Sequence, residues 1–248
     1  MIGIFDSGVG GLTVIKPLIK YFKSDIIYLG DTARVPYGNK SKETVIKYSI
    51  ENTKFLLSKG VDFIIVACNT ASSLAIDTLR SIFNVPIYGV VESTAKVACQ
   101  FDSIAVIGTK ATIESNAYEK TIKMFNQNAS VQQKACPLFV PLIEEGLIDD
   151  DITKLVAKRY LNGIQAQALV LGCTHYPLIK HIIKEIVPNA QIIDSGTSII
   201  NTIDKNMLKG SGKIEFYATD SPENFSKIGK LFLGENFNGV KLVDLEEL

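Results

Sequence analysis

The chain has 248 residues, 26 basic and 26 acidic side chains, and no formal net charge at pH 7. That balance gives no basic excess to hold a nucleic-acid backbone, and no apolar run approaches the roughly 20 residues that cross a bilayer, so neither nucleic acid nor membrane is expected as a partner. The length and the 46% hydrophobic content suit one large or two small α/β domains.

The opening residues Met1-Ile-Gly-Ile-Phe-Asp6 lack the basic flank, apolar stretch and cleavage site of a secretory signal. Cys68, Cys99, Cys136 and Cys173 are read as reduced thiols, and a cytoplasmic location is expected. Cys99 and Cys136 sit among apolar neighbours and read as small buried hydrophobes.

Short apolar runs alternate with longer amphipathic stretches along the whole chain. Strands are predicted at residues 2–5, 25–29, 63–67, 86–91, 103–107, 131–135, 168–171, 191–193 and 213–217. Helices between them include residues 12–22, 42–59, 71–83, 151–161 and 178–186. Continuous rather than alternating apolar strands, each followed by a helix, argue for mainly parallel sheets covered by helices on both faces. The fold class expected is therefore α/β, with two similar domains and an active site in the cleft between them. The first domain comprises residues 1–92 with the returning segment 206–248, and the second comprises residues 93–205.

The two halves echo one another most clearly at Phe63-Ile-Ile-Val-Ala-Cys68-Asn-Thr-Ala-Ser72 and Ala168-Leu-Val-Leu-Gly-Cys173-Thr-His-Tyr-Pro177. Each is an apolar strand, then a cysteine, then a helix start. Ligands of open α/β sheets bind at the carboxyl ends of strands. Free backbone N–H groups at a helix start favour an anion, and so a thiolate. Two thiols placed alike in two similar halves can face each other across a cleft, which suits a reaction with two mirror-related faces.

Other residues gather at the same strand ends. In Asp6-Ser-Gly-Val-Gly-Gly-Leu-Thr13 the glycines allow a tight turn after a strand, but neither nucleotide-binding glycine pattern is matched. Asp6 can bind an ammonium group, hold a neighbouring thiol's proton, or merely cap a helix. In the loop Gly30-Asp-Thr-Ala-Arg-Val-Pro-Tyr-Gly38, Asp31, Arg34 and Tyr37 either reach the ligand or brace the loop. Ser7, Asn69, Thr70, Thr109, Thr112 and Thr174 are small polar groups able to cap helices or to donate hydrogen bonds to carboxylates. Thr174 reads as a cap for the helix that Pro177 begins. His175, two residues after Cys173, can act as that thiol's proton partner. Asp6, Cys68, Cys173 and His175 are also donor types for zinc, but no C-x-x-C or H-x-x-x-H spacing supports a metal site.

These segments together resemble the cofactor-independent aspartate/glutamate racemase family. The resemblance rests on Phe5-Asp-Ser-Gly-Val-Gly-Gly-Leu12, Gly30–Gly38, Val66-Ala-Cys-Asn-Thr-Ala-Ser72, Pro86-Ile-Tyr-Gly-Val-Val-Glu92, Ile107-Gly-Thr-Lys-Ala-Thr112, Pro137-Leu-Phe-Val-Pro-Leu-Ile-Glu144 and Leu171-Gly-Cys-Thr-His-Tyr-Pro-Leu178. The aspartate-specific members resemble the chain less, since their opening glycine motif differs. The resemblance implies a glutamate racemase activity that needs no cofactor and supplies D-glutamate for peptidoglycan synthesis, with a homodimer as one assembly. It implies Cys68 and Cys173 as the two acid/base residues, Asp6 assisting Cys68, and His175 assisting Cys173 with Glu144 nearby. It implies substrate binding by Asp6, Ser7, Tyr37, Gly38, Asn69, Thr70, Thr109, Thr112, Thr174 and His175. Beyond about residue 205 no motif is matched. The rival readings are a racemase for another amino acid such as aspartate, an amino-acid sensor that keeps the cleft without turnover, and a metal-dependent hydrolase.

Overall fold

The computed structural model describes residues 1–234, 237 and 239–245. Residues 235, 236, 238 and 246–248, part of the stretch 206–248 assigned above to the first domain, lie outside the described residues.

Among the described residues ten strands form two sheets, parallel throughout. They are β1 (Ile2–Asp6), β2 (Ile26–Gly30), β3 (Phe63–Val66), β4 (Ile87–Gly89), β5 (Ser103–Gly108), β6 (Ser130–Ala135), β7 (Ala168–Gly172), β8 (Gln191–Asp194), β9 (Ile214–Ala218) and β10 (Lys241–Leu242). The first sheet runs β10-β9-β2-β1-β3-β4 and the second β6-β5-β7-β8. Each therefore contains the same four-strand order, β2-β1-β3-β4 and β6-β5-β7-β8, which is the structural form of the sequence echo. In each sheet the chain reverses direction across the first strand of the unit, and the crevice at that switch point is where open sheets bind ligands. Every residue of β1, β2, β3 and β7 is buried, because helices cover both faces.

The register sets what emerges at that crevice. Phe5 pairs with Val66, so Asp6 and Cys68 leave the first sheet side by side. Gly108 pairs with Gly172, so Thr109 and Cys173 leave the second sheet together. The helix Leu12–Tyr21 packs on the helix Ser195–Ile200 and on the helix Pro222–Leu233, tying the two sheets together on one side.

The sequence expectation needs adjustment in three places. Residues 86–91 form only the short strand β4, and the helix Val90–Ala98 begins at once. A short apolar run does not distinguish strand from helix. Here Gly89 ends the strand with its Cα packed on Ser72 and Ile76, and the Val91 N–H donates to Ser72 Oγ at 3.1 Å. The helix expected over 71–83 is two helices, Asn69–Leu74 and Ile76–Ile82, separated at Ala75. The helix expected over 178–186 is a 3-10 turn, Tyr176–Ile179, followed by Lys180–Ile186. Among the described residues no helix is long and apolar enough to cross a membrane.

Candidate active site

Cys68 ends the first sheet's central crossover and caps the helix Asn69–Leu74, with the Ala71 N–H donating to its sulfur at 3.5 Å. Its own thiol points to Ser7 Oγ at 3.7 Å. Asp6, fully buried at the end of β1, accepts from the Gly8 N–H at 2.9 Å and from Thr174 Oγ1 at 3.3 Å. Tyr28, from β2, donates to Gly8 O at 2.7 Å and fixes the glycine turn from below.

On the opposite side Cys173 follows β7. Its sulfur lies 3.9 Å from His175 Nδ1, and His175 Nε2 lies 2.8 Å from Glu144 Oε1. The result is a thiol–imidazole–carboxylate relay in which each group orients the next. Thr174 does not cap a helix. The turn begins at Tyr176, and the Thr174 hydroxyl instead crosses to Asp6, while its backbone oxygen accepts from Thr13 Oγ1 at 2.8 Å.

Both thiols are about 95% buried, and both line one cavity of about 420 Å³. Of the residues singled out from sequence, Ser7, Tyr37, Gly38, Cys68, Asn69, Thr70, Thr109, Glu144, Cys173, Thr174 and His175 line it. Asp6 and Thr112 lie behind the wall. Thr112 joins Thr70 and Thr109 in a triangle of hydroxyls with sides of 2.9–3.2 Å that bridges the two sheets' helix starts. Among the described residues the lining contains no lysine or arginine. An anionic ligand would therefore be held by hydroxyls, amides, backbone N–H groups and His175.

The Gly30–Gly38 loop resolves one open question. Arg34 bonds Asp31 at 2.8 Å, bonds Asn52 at 3.1 Å and pairs with Glu51, while Tyr37 donates to Asp31. Asp31 and Arg34 therefore brace the loop, while Tyr37 and Gly38 reach the cavity. Cys136 is buried behind Cys173 as a packing residue, whereas Cys99 is only half-buried, its sulfur turned to Lys96 O at 3.2 Å. All four cysteines are free thiols.

Sequence reasoning missed two supports and one wall. Tyr118 OH donates to Asn69 Oδ1 at 2.5 Å, and Asn69 Nδ2 reaches Ser195 Oγ at 3.2 Å, so two groups of the second sheet's layer orient an amide of the first. Val35, Pro36, Pro137, Leu138, Val140 and Pro141 form an apolar lip on both sides of the mouth. Nothing local marks these contacts, although the stretch from Pro137 to Glu144 was already conspicuous as a motif.

Burial dominates the electrostatics. It raises Asp6 from 3.8 to about 6, against the lowering charge of His175 and the hydrogen bonds Asp6 accepts. Burial, and then the charge of Asp6, push Cys68 up to about 12. The helix start was expected to favour the thiolate, but the Ala71 and Ser7 hydrogen bonds are outweighed. For His175 burial acts downward, yet hydrogen bonds to Cys173 and Glu144, with their charges, carry it up to about 10. At neutral pH the Cys68 side thus holds a protonated thiol over a carboxylate, and the Cys173 side holds an imidazolium.

Fold and site together define an α/β protein with a cavity of about 420 Å³ that carries a buried thiol on each wall. A model of the Asp/Glu/Hydantoin racemase family matches residues 22–203. The chain belongs to this family. It is 49% identical to a glutamate racemase of Persephonella marina over 97% of this chain and 96% of that one, and 48% identical to one of a Sulfurihydrogenibium species over 94% of each. The crystal structure of a Francisella tularensis glutamate racemase in complex with D-glutamate superposes with a TM-score of 0.92 at 39% identity, covering 100% of this chain and 98% of that one.

Proposed function

We propose that the chain interconverts L- and D-glutamate, without a cofactor, by proton transfer between its two cysteines. The observation that carries this reading is that Cys68 and Cys173, emerging from equivalent strands, line one cavity, Cys68 beside Ser7 and the charge of Asp6 and Cys173 beside His175. The volume of about 420 Å³ is in the range of small-ligand sites. The relatives named above and the donor-rich, lysine-free lining favour glutamate over an apolar amino acid.

In each direction a thiolate takes the α-proton from one face of the substrate and becomes a thiol. The opposite thiol gives its proton to the other face of the planar, carbanion-like species and becomes a thiolate. Two groups are required because one side chain reaches only one face. For Cys68 to act as the base, its proton must first leave, and Asp6, ionised above about pH 6, is the acceptor within its field. For Cys173, His175 holds and returns the proton while Glu144 fixes the ring. A positioned acid/base pair supplies about 10²–10⁴-fold in rate. The rest must come from hydrogen-bond donors aimed at the developing charge and from exclusion of water at the apolar lip. Ser7, Asn69, Thr70, Thr109, Thr174 and the Tyr37–Gly38 backbone are the groups assigned to the substrate's carboxylates and ammonium.

A thiol-based reaction needs a reducing compartment, which supports a cytoplasmic enzyme. The family resemblance supports peptidoglycan synthesis, and so cell-wall biogenesis and cell shape, as the use of its D-glutamate. On the same basis the domains close over substrate as the units 1–92 with 206–248 and 93–205, and a homodimer is the assembly to test by sedimentation.

In deuterated water the protein should racemise either glutamate enantiomer, with loss of optical rotation and gain of α-deuterium. Cys68→Ala and Cys173→Ala should each abolish racemisation. Full activity in either variant would refute the two-thiol scheme. Glutamate binding without α-exchange would identify a sensor, and preference for aspartate would replace the substrate.

A further inference from the structure

Among its described residues, the segment beyond residue 205, which carries no motif, reaches the site through Phe232. The helix Pro222–Leu233 follows β9 and packs on the helix Leu12–Tyr21. That packing is close, because a side chain at Gly229 would run into Leu12 and Phe237. From its last turn Phe232, 2% exposed, sets its ring against the His175 imidazole with centroids 5.2 Å apart and planes at 88°. An edge-to-face pair of this kind fixes the ring plane without hydrogen bonding.

The other two sides of the imidazole are also occupied. Glu144 holds Nε2 at 2.8 Å. The Gly10 backbone lies against Nδ1 and Cε1 so closely that a Cβ there would stand 2.5 Å and 2.6 Å from them. A hydrogen bond to Glu144 alone does not fix the ring plane; the Gly10 backbone and the Phe232 ring both pack against the imidazole, whose Nδ1 lies 3.9 Å from Cys173 Sγ.

We propose that Phe232 is a positioning residue for the racemisation proposed above, locking the His175 ring so that Nδ1 faces the Cys173 sulfur. This rests on the two-thiol reading. Its geometric part stands without that reading, because ring orientation can be observed in the absence of turnover.

The chain has only two histidines, and His181 is exposed beside Asp149 at 3.6 Å, so it serves as an internal reference. The titratable groups facing His175 are Cys173, Glu144 and Asp6. In ¹⁵N-histidine NMR spectra Phe232→Leu should move the His175 titration down toward that of an ordinary imidazole and leave His181 unchanged. Phe225→Leu is the matched control. Phe225 is an equally buried ring of the same helix that packs on Tyr28 and Gly30 and not on His175, so its loss should leave the His175 signals in place.

In steady-state assays Phe232→Leu should lower kcat about tenfold, a fraction of the acid/base contribution, with KM changed by less than about threefold. In a His175→Asn background the same change should cost nothing further, since residues acting through one group are non-additive. A His175 titration unmoved in Phe232→Leu, or equal losses in both backgrounds, overturns the proposal. Should Phe232→Leu not fold, Phe232→Met, which keeps the bulk and removes the flat ring, carries the same expectations. A wild-type protein that shows no racemisation, but whose His175 titration still responds to Phe232, sinks the two-thiol reading and leaves the positioning intact.

Discussion

The two walls of the cleft are built by the same four-strand unit and finished with opposite chemistry. On one wall β3 delivers Cys68 beside a carboxylate, Asp6. On the other β7 delivers Cys173 beside an imidazole that is itself held by Glu144. Burial and the neighbouring negative charge push Cys68 up to about 12, while hydrogen bonds to Cys173 and Glu144 carry His175, against burial, up to about 10. A duplicated backbone therefore places the thiols symmetrically, and their neighbours, Asp6 from the adjacent strand β1 and His175 two residues past Cys173, make them unlike. Under the two-thiol scheme proposed above the difference matters, because proton transfer in either direction starts from one acid and one base.

The largest effect should come from removing one wall's thiol. Racemisation should fall by at least about 10³-fold in either Cys68→Ala or Cys173→Ala. Exchange of the α-proton with deuterated water should survive for only one enantiomer in each variant, and for opposite enantiomers in the two. If both variants exchanged the same enantiomer, the walls would not lie on opposite faces of the substrate.

Next comes the asymmetry of the proton partners. His175→Asn should lower kcat by about 10²-fold. Because His175 is raised from 6.5 to about 10 in the folded protein, its stabilising contribution is complete below pH 6.5 and disappears as the pH rises through 10. The stability gap between wild type and His175→Asn, measured by urea unfolding, should therefore shrink between about pH 6.5 and pH 10. Asp6 has the same sign in a lower pH range. Its folded pKa is also raised, from 3.8 to about 6, so the native state binds the extra proton and Asp6 favours folding only below that range. Wild-type stability should drop as the pH rises from 4 to 7, by at most about 3 kcal/mol from this group. Asp6→Asn should flatten that fall while lowering kcat. A steeper fall in the variant would show that Asp6 is ionised well below pH 6 in the folded chain.

How far the comparison was visible beforehand depends on the range of the interaction. Cys68 and Cys173 were legible because an apolar run followed by a helix start is a local signal, and its repetition fixed equivalent places in equivalent sheets. Asp6 and His175 were legible for the same reason, Asp6 ending its strand and His175 lying three residues beyond the end of its own. The supports are contacts between distant segments. Thr174 reaches Asp6 across 168 residues, Asn69 meets Ser195 across 126, and His175 meets Glu144 across 31. No periodicity encodes such pairs; they follow from the topology. The helix Val90–Ala98 was hidden differently, since Ile87-Tyr-Gly-Val-Val reads as one apolar run and only Gly89 against Ser72 ends the strand.

A smaller effect is expected where the walls touch. Gly10 belongs to the Asp6 wall but rests on Thr174 and His175 of the other. Gly10→Ala must push these apart. Overpacking of this kind costs typically 1–3 kcal/mol. It should also lower kcat about tenfold through a displaced His175, with the His175 NMR signals shifted. Unchanged kinetics would mean that the walls yield without moving the relay.

The smallest effect tests whether the walls also share a hydroxyl network that matters. Thr70 and Thr109 line the cavity from opposite sides, 2.9 Å apart, while Thr112 sits buried behind both at 3.2 and 2.9 Å. Thr112→Val keeps the shape and removes one corner of the triangle. Thr70 and Thr109 still satisfy each other, so no buried donor is orphaned, and the cost should be within about 1 kcal/mol. KM for glutamate should rise by no more than about threefold with kcat unchanged. Thr70→Val removes a group that faces the cavity and bonds across the cleft, so its KM should rise several times further. Equal effects in the two variants would mean that the triangle acts only as a strut between the sheets, and that neither hydroxyl of the pair contacts the substrate.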